Sequence, residues 1–517
     1  MQLEDSVAKP APVAESAQLT HRQIMEVLIG LLAALFTAMI SSTIVSNALP
    51  TIIADLDGSQ SQYTWVVTAS LLAMTVSTPV WGKLSDLFNK KLLVQTSIII
   101  FVVGSVFAGL SQNVPELIAM RVLQGIGMGG LTANVQTIIG SIIPPRERGR
   151  YAGYMGATMA VATVSGPLVG GLIVDTPGLG WRWTFYVCVP LALMSLVMLQ
   201  KYLHIATTKR KAKIDYVGIV LIAIASSSLL IWVSFAGNDF AWMSWQTAAF
   251  LATTLIATLL TIRVELRHPE PMVPIAAIRE RTTALAIMGS IACGVAIFGG
   301  SVFIGQYFQV AGGRTPTQAG LLTIPLMVGS LVGTLISGRL ITKTGFWKRF
   351  LILGSVLLIT GLGLLATIDH HTPEWHAIVF LGFVGVGMGM LMQNYVLVVQ
   401  NAVDVSQVGA ASAVVAFFRS LGGTIGVSVL GAVLATQVQN DVTEKVAALG
   451  PNAPSAGDGS LLDVAHLPAP IAEIVRSAYG DATGTIFMIA AGVAVFSLVA
   501  SVLMKEVPLR TTLGKKD

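Results

Sequence analysis

Arg121 and Arg419 each sit inside a long apolar run, Asp86 stands at the end of another, and Gln393 and Asn394 place two adjacent amides in a fourth. A guanidinium stays charged at any physiological pH and an amide offers both donors and an acceptor, so these residues suit ion sensing, hydrogen-bonded recognition and switching. They do not suit bond making. The sequence has no HExxH helix, Walker-type loop or dinucleotide fingerprint. Cys188 and Cys293 lie singly in apolar runs, where packing is their expected role. No enzyme, no metal site and no organic cofactor is expected, and His370, His371 and His376 simply share one short polar stretch.

Composition says where such residues must work. Apolar residues make up 54% of the 517, charged residues only 11%, and the mean hydropathy is +0.76. A soluble domain carries about 25% charged residues, so this chain lives in a bilayer. A membrane helix needs about 20 mainly apolar residues. That template predicts an all-α membrane protein of fourteen spans, near 25–49, 63–83, 91–111, 115–143, 150–173, 183–203, 216–236, 245–264, 283–309, 317–338, 349–368, 376–402, 408–435 and 482–504. Residues 1–24 read as a disordered polar tail and the first apolar run as a retained span, being longer than a signal-peptide core. Residues 505–517 form a second tail.

Orientation follows from the 31 lysines and arginines. Twenty-five fall in alternate loops and the two tails, four (Arg182, Arg314, Lys445 and Arg476) on the opposite side, and Arg121 and Arg419 inside spans. Basic loops stay in the cytoplasm, so both termini are expected there, in a plasma membrane. The net charge of +5 then needs no nucleic-acid partner; anionic lipid is sufficient.

Two signatures recur at nearly one offset. Gly82 through Asp86 after span 2 is echoed by Gly338 through Thr342 after span 10, 256 residues on, and Gly125 through Gly129 in span 4 by Gly385 through Gly389 in span 12, 260 residues on. The pattern predicts a six-helix bundle over 25–203, two inserted helices within 204–282, and a second bundle over 283–504, a 6+2+6 order. Parallel repeats of this kind belong to transporters whose halves rock about a central site.

These residues carry a resemblance. Gly82 to Lys91 is similar to the loop signature of the major facilitator superfamily, with Asn89 where a second glycine is usual. Asn tolerates the left-handed backbone better than other residues and is expected to adopt it here. Arg121 to Gly125, Gly166 to Gly171 with Gly153, Trp181 to Phe185 with Pro190, and Phe417 to Arg419 with Gly422 and Gly423 resemble further motifs of its fourteen-spanner drug:proton antiporters. Ala162 and Cys188 depart from the pattern in minor ways. Ser41 departs in a major one, standing where the group carries an aspartate associated with proton coupling or cation recognition.

The resemblance implies that the Asp86 loop locks an outward-facing state. From the residues themselves, Asp86 is expected near the basic loop Arg146–Arg150, and Gly166 with Pro167 forms either a bending element or a tightly packed stripe. Arg121 and Ser41 lie about 9 and 13 Å below the outer boundary at 1.5 Å per residue. An arginine at that depth costs about 2.5–3.5 kcal/mol even on the lenient insertion scale, so it must find acceptors. Candidates are Ser41, Ser42, Asn47, water, or a carboxylate from the outer rim, where Asp55, Asp57 and Glu116 are nearest. Arg419 and Gln393 lie at equal depth, which makes contact possible, with the Gln393 and Asn394 carbonyl oxygens as acceptors. Candidate cavity residues are Ser41, Asn47, Met155, Met159, Phe298, Phe303, Tyr307, Gln393 and Asn394, because methionines and aromatics adapt to varied hydrophobic ligands.

The leading expectation is a monomeric secondary efflux transporter that exchanges protons, the coupling ion, for hydrophobic or amphiphilic drug-like molecules by alternating access. Export of one endogenous metabolite or lipid-like amphiphile is the narrower alternative, and a non-transporting sensor or scaffold the one from another class. Residues 436–481 are expected as a long external loop with a disordered Gly/Pro stretch at 450–457 and a short amphipathic helix near 468–479.

Overall fold

A computed structural model describes residues 21–57, 60–176, 178–204, 215–237, 240–268, 278–314, 316–404, 407–448 and 468–509. The outermost tails and the 450–457 stretch lie outside them, as do the side chains of Asn47, Pro167 and Phe298. In hydrocarbon every backbone donor and acceptor must be satisfied within its own segment, so apolar runs of this length become helices. In chain order they are α1 (His21–Asp55), α2 (Gln60–Leu87), α3 (Lys90–Leu110), α4 (Val114–Ile142), α5 (Pro145–Asp175), α6 (Trp183–Tyr186), α7 (Cys188–Tyr202), α8 (Tyr216–Phe235) and α9 (Trp245–Glu265). After a short gap follow α10 (Arg281–Val310), α11 (Pro316–Leu322), α12 (Ile324–Thr344), α13 (Lys348–Leu365), α14 (Glu374–Ala402), α15 (Val408–Ala448) and α16 (Ala469–Leu503).

Eleven spans among the described residues are long and apolar enough to cross a membrane. The long helices outside that set are α4, α5 and α10. The first two are polar for a reason: α4 carries Glu116, Arg121 and several amides, and α5 opens on Arg146, Glu147 and Arg148, because both face other helices more than lipid. The α9 helix is the reverse case, with 6% of its apolar window buried and α8 as its main neighbour.

Packing repeats as the motifs do. In the first half α1 packs on α5 and α7, α2 on α4, and α3 on α4 and α7. In the second α10 packs on α15 and α16, α12 on α14, and α13 on α14 and α16. The halves meet where α2 crosses α15 and α5 crosses α12, and α8 leans on both α2 and α15. Each half has its own apolar core, one around Ile98, Phe101 and Leu131, the other around Leu351, Leu358 and Phe487. Across the seam the apolar cluster is small, formed by Trp81, Ala133 and Ala413.

The repeated G-x-G-x-G explains the closest crossings. A methyl group added at Gly125 would lie 2.3 Å from the Ser70 carbonyl oxygen of α2, and at Gly127 2.6 Å from the Phe101 nitrogen of α3. In the second half Gly385 and Gly389 would meet the Leu326 and Ser330 carbonyls of α12 at 2.1 and 2.0 Å, and Gly387 the Leu358 nitrogen of α13 at 2.6 Å. One triplet thus seats a helix between two others, the outer glycines on one neighbour and the middle glycine on the other. Gly389→Ala is expected to lower stability by about 1–3 kcal/mol, since the obstacle is backbone; an unchanged melting temperature of the purified protein would contradict this.

Two expectations need correction. The predicted external loop 436–481 is mostly helix: α15 runs on to Ala448 and α16 begins at Ala469, so the helix expected near 468–479 is the start of the last span itself. Asn89 is not left-handed. Its φ is −64°, and its side chain caps α3 by accepting from the Lys91 and Leu92 nitrogens, a role that glycine has no atoms to perform. Of the two readings of Gly166 and Pro167, close packing is seen at Gly166, where an added methyl would meet the Thr43 hydroxyl of α1.

Candidate functional site

Arg121 is 1% exposed. Asn113 caps α4 by accepting from the Glu116 nitrogen, and Pro115 and Glu116 follow in the first turn, so the helix start is fixed and Arg121 with it. Its Nε donates to the Val66 carbonyl at 3.3 Å, Nη2 to the Ser70 hydroxyl at 2.6 Å, and Nη1 to the Gln124 carbonyl oxygen. Gln124 in turn donates to Ser105 at 2.8 Å and Ser41 at 3.2 Å. The acceptors are neutral. Asp55, offered by the sequence as a counter-charge, stays at the far end of α1, where its carboxylate accepts from the Trp181 indole at 2.6 Å and lies 3.6 Å from Arg182. Glu116 accepts from the Gln112 nitrogen. Ser41 reaches Arg121 only through Gln124.

Hydrogen bonds join the two halves at the end of the bundle that carries the basic loops. The Asp86 carboxylate accepts from the Gly409 nitrogen at 2.9 Å and the Ala410 nitrogen at 2.7 Å, so it caps the opening turn of α15, not the expected basic loop. The reason is electrostatic: the first amides of a helix point outward unpaired and their dipoles favour an anion. Arg146 donates to the Thr342 carbonyl at 3.1 Å. Arg148 donates from Nε to Ile143 at 2.8 Å, from Nη2 to Gly140, and from Nη1 across the seam to the Gln400 side-chain oxygen at 2.9 Å. Gln400 donates onward to Ser412 at 2.8 Å.

Just inside this closure lies a cavity of about 30 Å³ lined by Gln136, Arg148, Met155, Gln393, Asn394 and Gln400, with Ile139, Val396 and Leu397. Met155, Gln393 and Asn394 are therefore brought together as the sequence expects. Other candidates are not. Arg419, 7% exposed, donates to the Met392 carbonyl at 3.2 Å and not to Gln393. Phe303 and Tyr307 belong to the second core, and the Tyr307 hydroxyl is engaged by the Asp369 carbonyl at 2.7 Å. Met159 packs against the first core.

The profile of the Major Facilitator Superfamily matches residues 31–427. This chain belongs to the major facilitator superfamily. Proteins of the superfamily are transporters, not enzymes. A multidrug transporter of Bacillus subtilis, MdtP, is 33% identical over 417 residues, covering 81% of this chain and 76% of the relative. An MFS-type transporter of Mycobacterium tuberculosis is 32% identical over 480 residues, 93% of this chain and 69% of its own. Among solved structures, the proton:xylose symporter XylE bound to 6-bromo-6-deoxy-D-glucose superposes with a TM-score of 0.60 at 15% identity, covering 94% of this chain and 96% of that one. That likeness establishes the superfamily fold.

Sequence reasoning missed Ser70, Ser105, Gln124, Gln136, Arg148 and Gln400 as site residues. A signal existed for some. Gln124 is three residues past Arg121, the spacing at which side chains meet on one helix face, and Gln400 is seven past Gln393. Ser70 and Ser105 had none, since one serine in an apolar helix resembles any other. Ser41→Asp would place a carboxylate one amide away from Arg121. The ratio of cation to anion transport is expected to change by about tenfold, the equivalent of about 1.4 kcal/mol; transport of charge-matched dyes across a pH series checks this, and an unchanged profile removes position 41 from the pathway.

Proposed function

We propose that this superfamily member is a proton-coupled exporter of hydrophobic and amphiphilic small molecules, working by alternating access across a plasma membrane. It would cross fourteen times in a 6+2+6 order, with both termini in the cytoplasm, α4, α5 and α10 completing the spans. The observation that carries the reading is the seam. Two bundles with separate apolar cores are held together at the basic end by Asp86 on the α15 amides and by Arg148 on Gln400. The side-chain hydrogen bonds that join the halves lie at one end, beside close helix crossings, and a set of this kind releases as a unit, which is what a gate requires. On this reading the structure is the state closed to the cytoplasm. The multidrug name of the Bacillus relative supports the substrate class.

Inverted membrane vesicles energised by respiration test it. Hydrophobic drugs should accumulate in the lumen, and their addition should draw protons out of it, seen as dequenching of a trapped pH dye. Accumulation that survives collapse of the pH gradient would remove proton coupling. No accumulation of any compound would remove export.

A further inference from the structure

The cavity inside the gate has a chemistry that the drug-export reading leaves unspecified. One guanidinium and four amides line it, and no carboxylate does. Gln136 is 6% exposed and its side-chain oxygen is buried with no hydrogen-bond partner. An amide rotated by half a turn occupies the same volume, so Gln136 can present its NH2 to the cavity as easily as its oxygen. Buried polar atoms are seldom left unpaired, and one that faces a cavity marks a place for a ligand or water.

Positive charge predominates in the wider surroundings, where the carboxylate of Asp86 is engaged by the Gly409 and Ala410 amides. Arg121 and Arg419 are buried on neutral oxygens, and Ser41 supplies no negative charge. Low-dielectric walls carry such fields over long distances, so a cation entering between the halves meets repulsion and an anion attraction.

The geometry points to an anion-recognising pocket: we propose that the seam around Arg148 takes the monoanionic head, a carboxylate or its equivalent, of an amphiphilic substrate. This rests on the transport reading and narrows its substrate class. The head also acts on the gate. Arg148 on α5 holds Gln400 on α14 through a neutral amide oxygen. A charged oxygen is a stronger acceptor for a guanidinium than an amide is, so a bound carboxylate takes over Nη1 and frees Gln400. The ligand then favours the state in which the seam is parted, because it binds that state better. The cavity of about 30 Å³ has room for water beside the Gln136 oxygen, and parting of the halves at this end would widen it for the anion. Ile139, Met155, Val396 and Leu397 start an apolar path for its tail.

The test uses the full-length protein in detergent and three probes of one chain length: 11-(dansylamino)undecanoic acid, its methyl ester, and the analogue ending in a quaternary ammonium. Energy transfer from tryptophan to dansyl reads binding. The acid is expected to bind about tenfold or more tightly than the other two. Gln400→Glu gives Arg148 an internal carboxylate, and should weaken the acid about tenfold while moving the ester less than about twofold. Gln136→Leu should shrink the acid's advantage without changing ester binding. Retained ester binding and a single gel-filtration peak show that each variant is folded. Equal affinity for acid and ester, tighter binding of the ammonium probe, no binding of the acid, or an acid affinity indifferent to Gln400→Glu would each overturn the proposal. Drug accumulation in vesicles is a separate readout: intact export with no acid preference sinks this inference alone, and acid preference without export sinks only the export reading.

Discussion

Asp86→Asn is expected to part the halves at the basic end and to lower transport at least tenfold. The carboxylate accepts from two backbone nitrogens at the start of α15, Gly409 and Ala410. Asparagine can accept one of them with its oxygen, but turns an NH2 toward the other. Hydrogen bonds to a charged acceptor contribute about 1.5–3 kcal/mol each, against about 1 for a neutral one. With the lost interaction between anion and helix dipole, the net loss is about 2 kcal/mol or more, a shift of roughly 30-fold in the ratio of closed to open molecules. Small residues surround the contact: a methyl on Gly82 would lie 2.3 Å from Ala413. Spin labels at Glu147 and Lys343, both exposed near the seam, would report the change as a longer distance component, and Cys188 and Cys293 are buried and will not compete for label. A variant with wild-type distances and rates would remove Asp86 from the gate.

Arg121→Ala should abolish transport while leaving the protein inserted. Losing the guanidinium leaves the buried Gln124 side-chain oxygen without its donor, while the Ser70 hydroxyl keeps its bond to the Val67 carbonyl and the Val66 carbonyl its place in α2. That unsatisfied group costs about 1–3 kcal/mol, and the vacated volume adds to this, so a clear drop in melting temperature is expected. Insertion itself should not suffer, because removing a charge from a span relieves about 2.5–3.5 kcal/mol of partition cost. Arg121→Lys keeps the charge with fewer, differently directed donors and should fall between the two. The decisive comparison is transport by reconstituted protein at matched insertion. Wild-type rates in the alanine variant would make the network scaffolding with no part in transport.

How much of this could be read beforehand depended on whether a residue's role is local or long-range. The G-x-G-x-G triplets were legible because chain repetition exposes them, and the structure gives both triplets the same neighbours. The depth of Arg121 followed from counting along one helix. Its network did not, because Ser70 meets Arg121, and Ser105 meets Gln124, only once α2, α3 and α4 are packed. Asp86 stood out as a switch candidate, and the partner expected for it was the wrong one. Charge counting favours lysine and arginine, whereas the partner is the backbone of a helix 323 residues away that has no charge to count. The length of α15 was misjudged because hydropathy finds where a helix leaves lipid, and polar residues such as those of Gln437 through Lys445 remain helical in water.

That length has a mechanical corollary. The 41 residues of α15 measure about 62 Å at 1.5 Å per residue, about twice the thickness of hydrocarbon, and its first turn is the part gripped by Asp86. A rod held at one extremity magnifies any tilt: about 10° at the grip displaces the far tip by about 10 Å. Lys445 near that tip is tied to Ser477 and Asp481 of α16, so a tilt of one helix would carry the other with it at the end opposite the Asp86 grip. An antibody fragment or bulky tag fastened there should act as a brake on the whole cycle from a point far from any ligand.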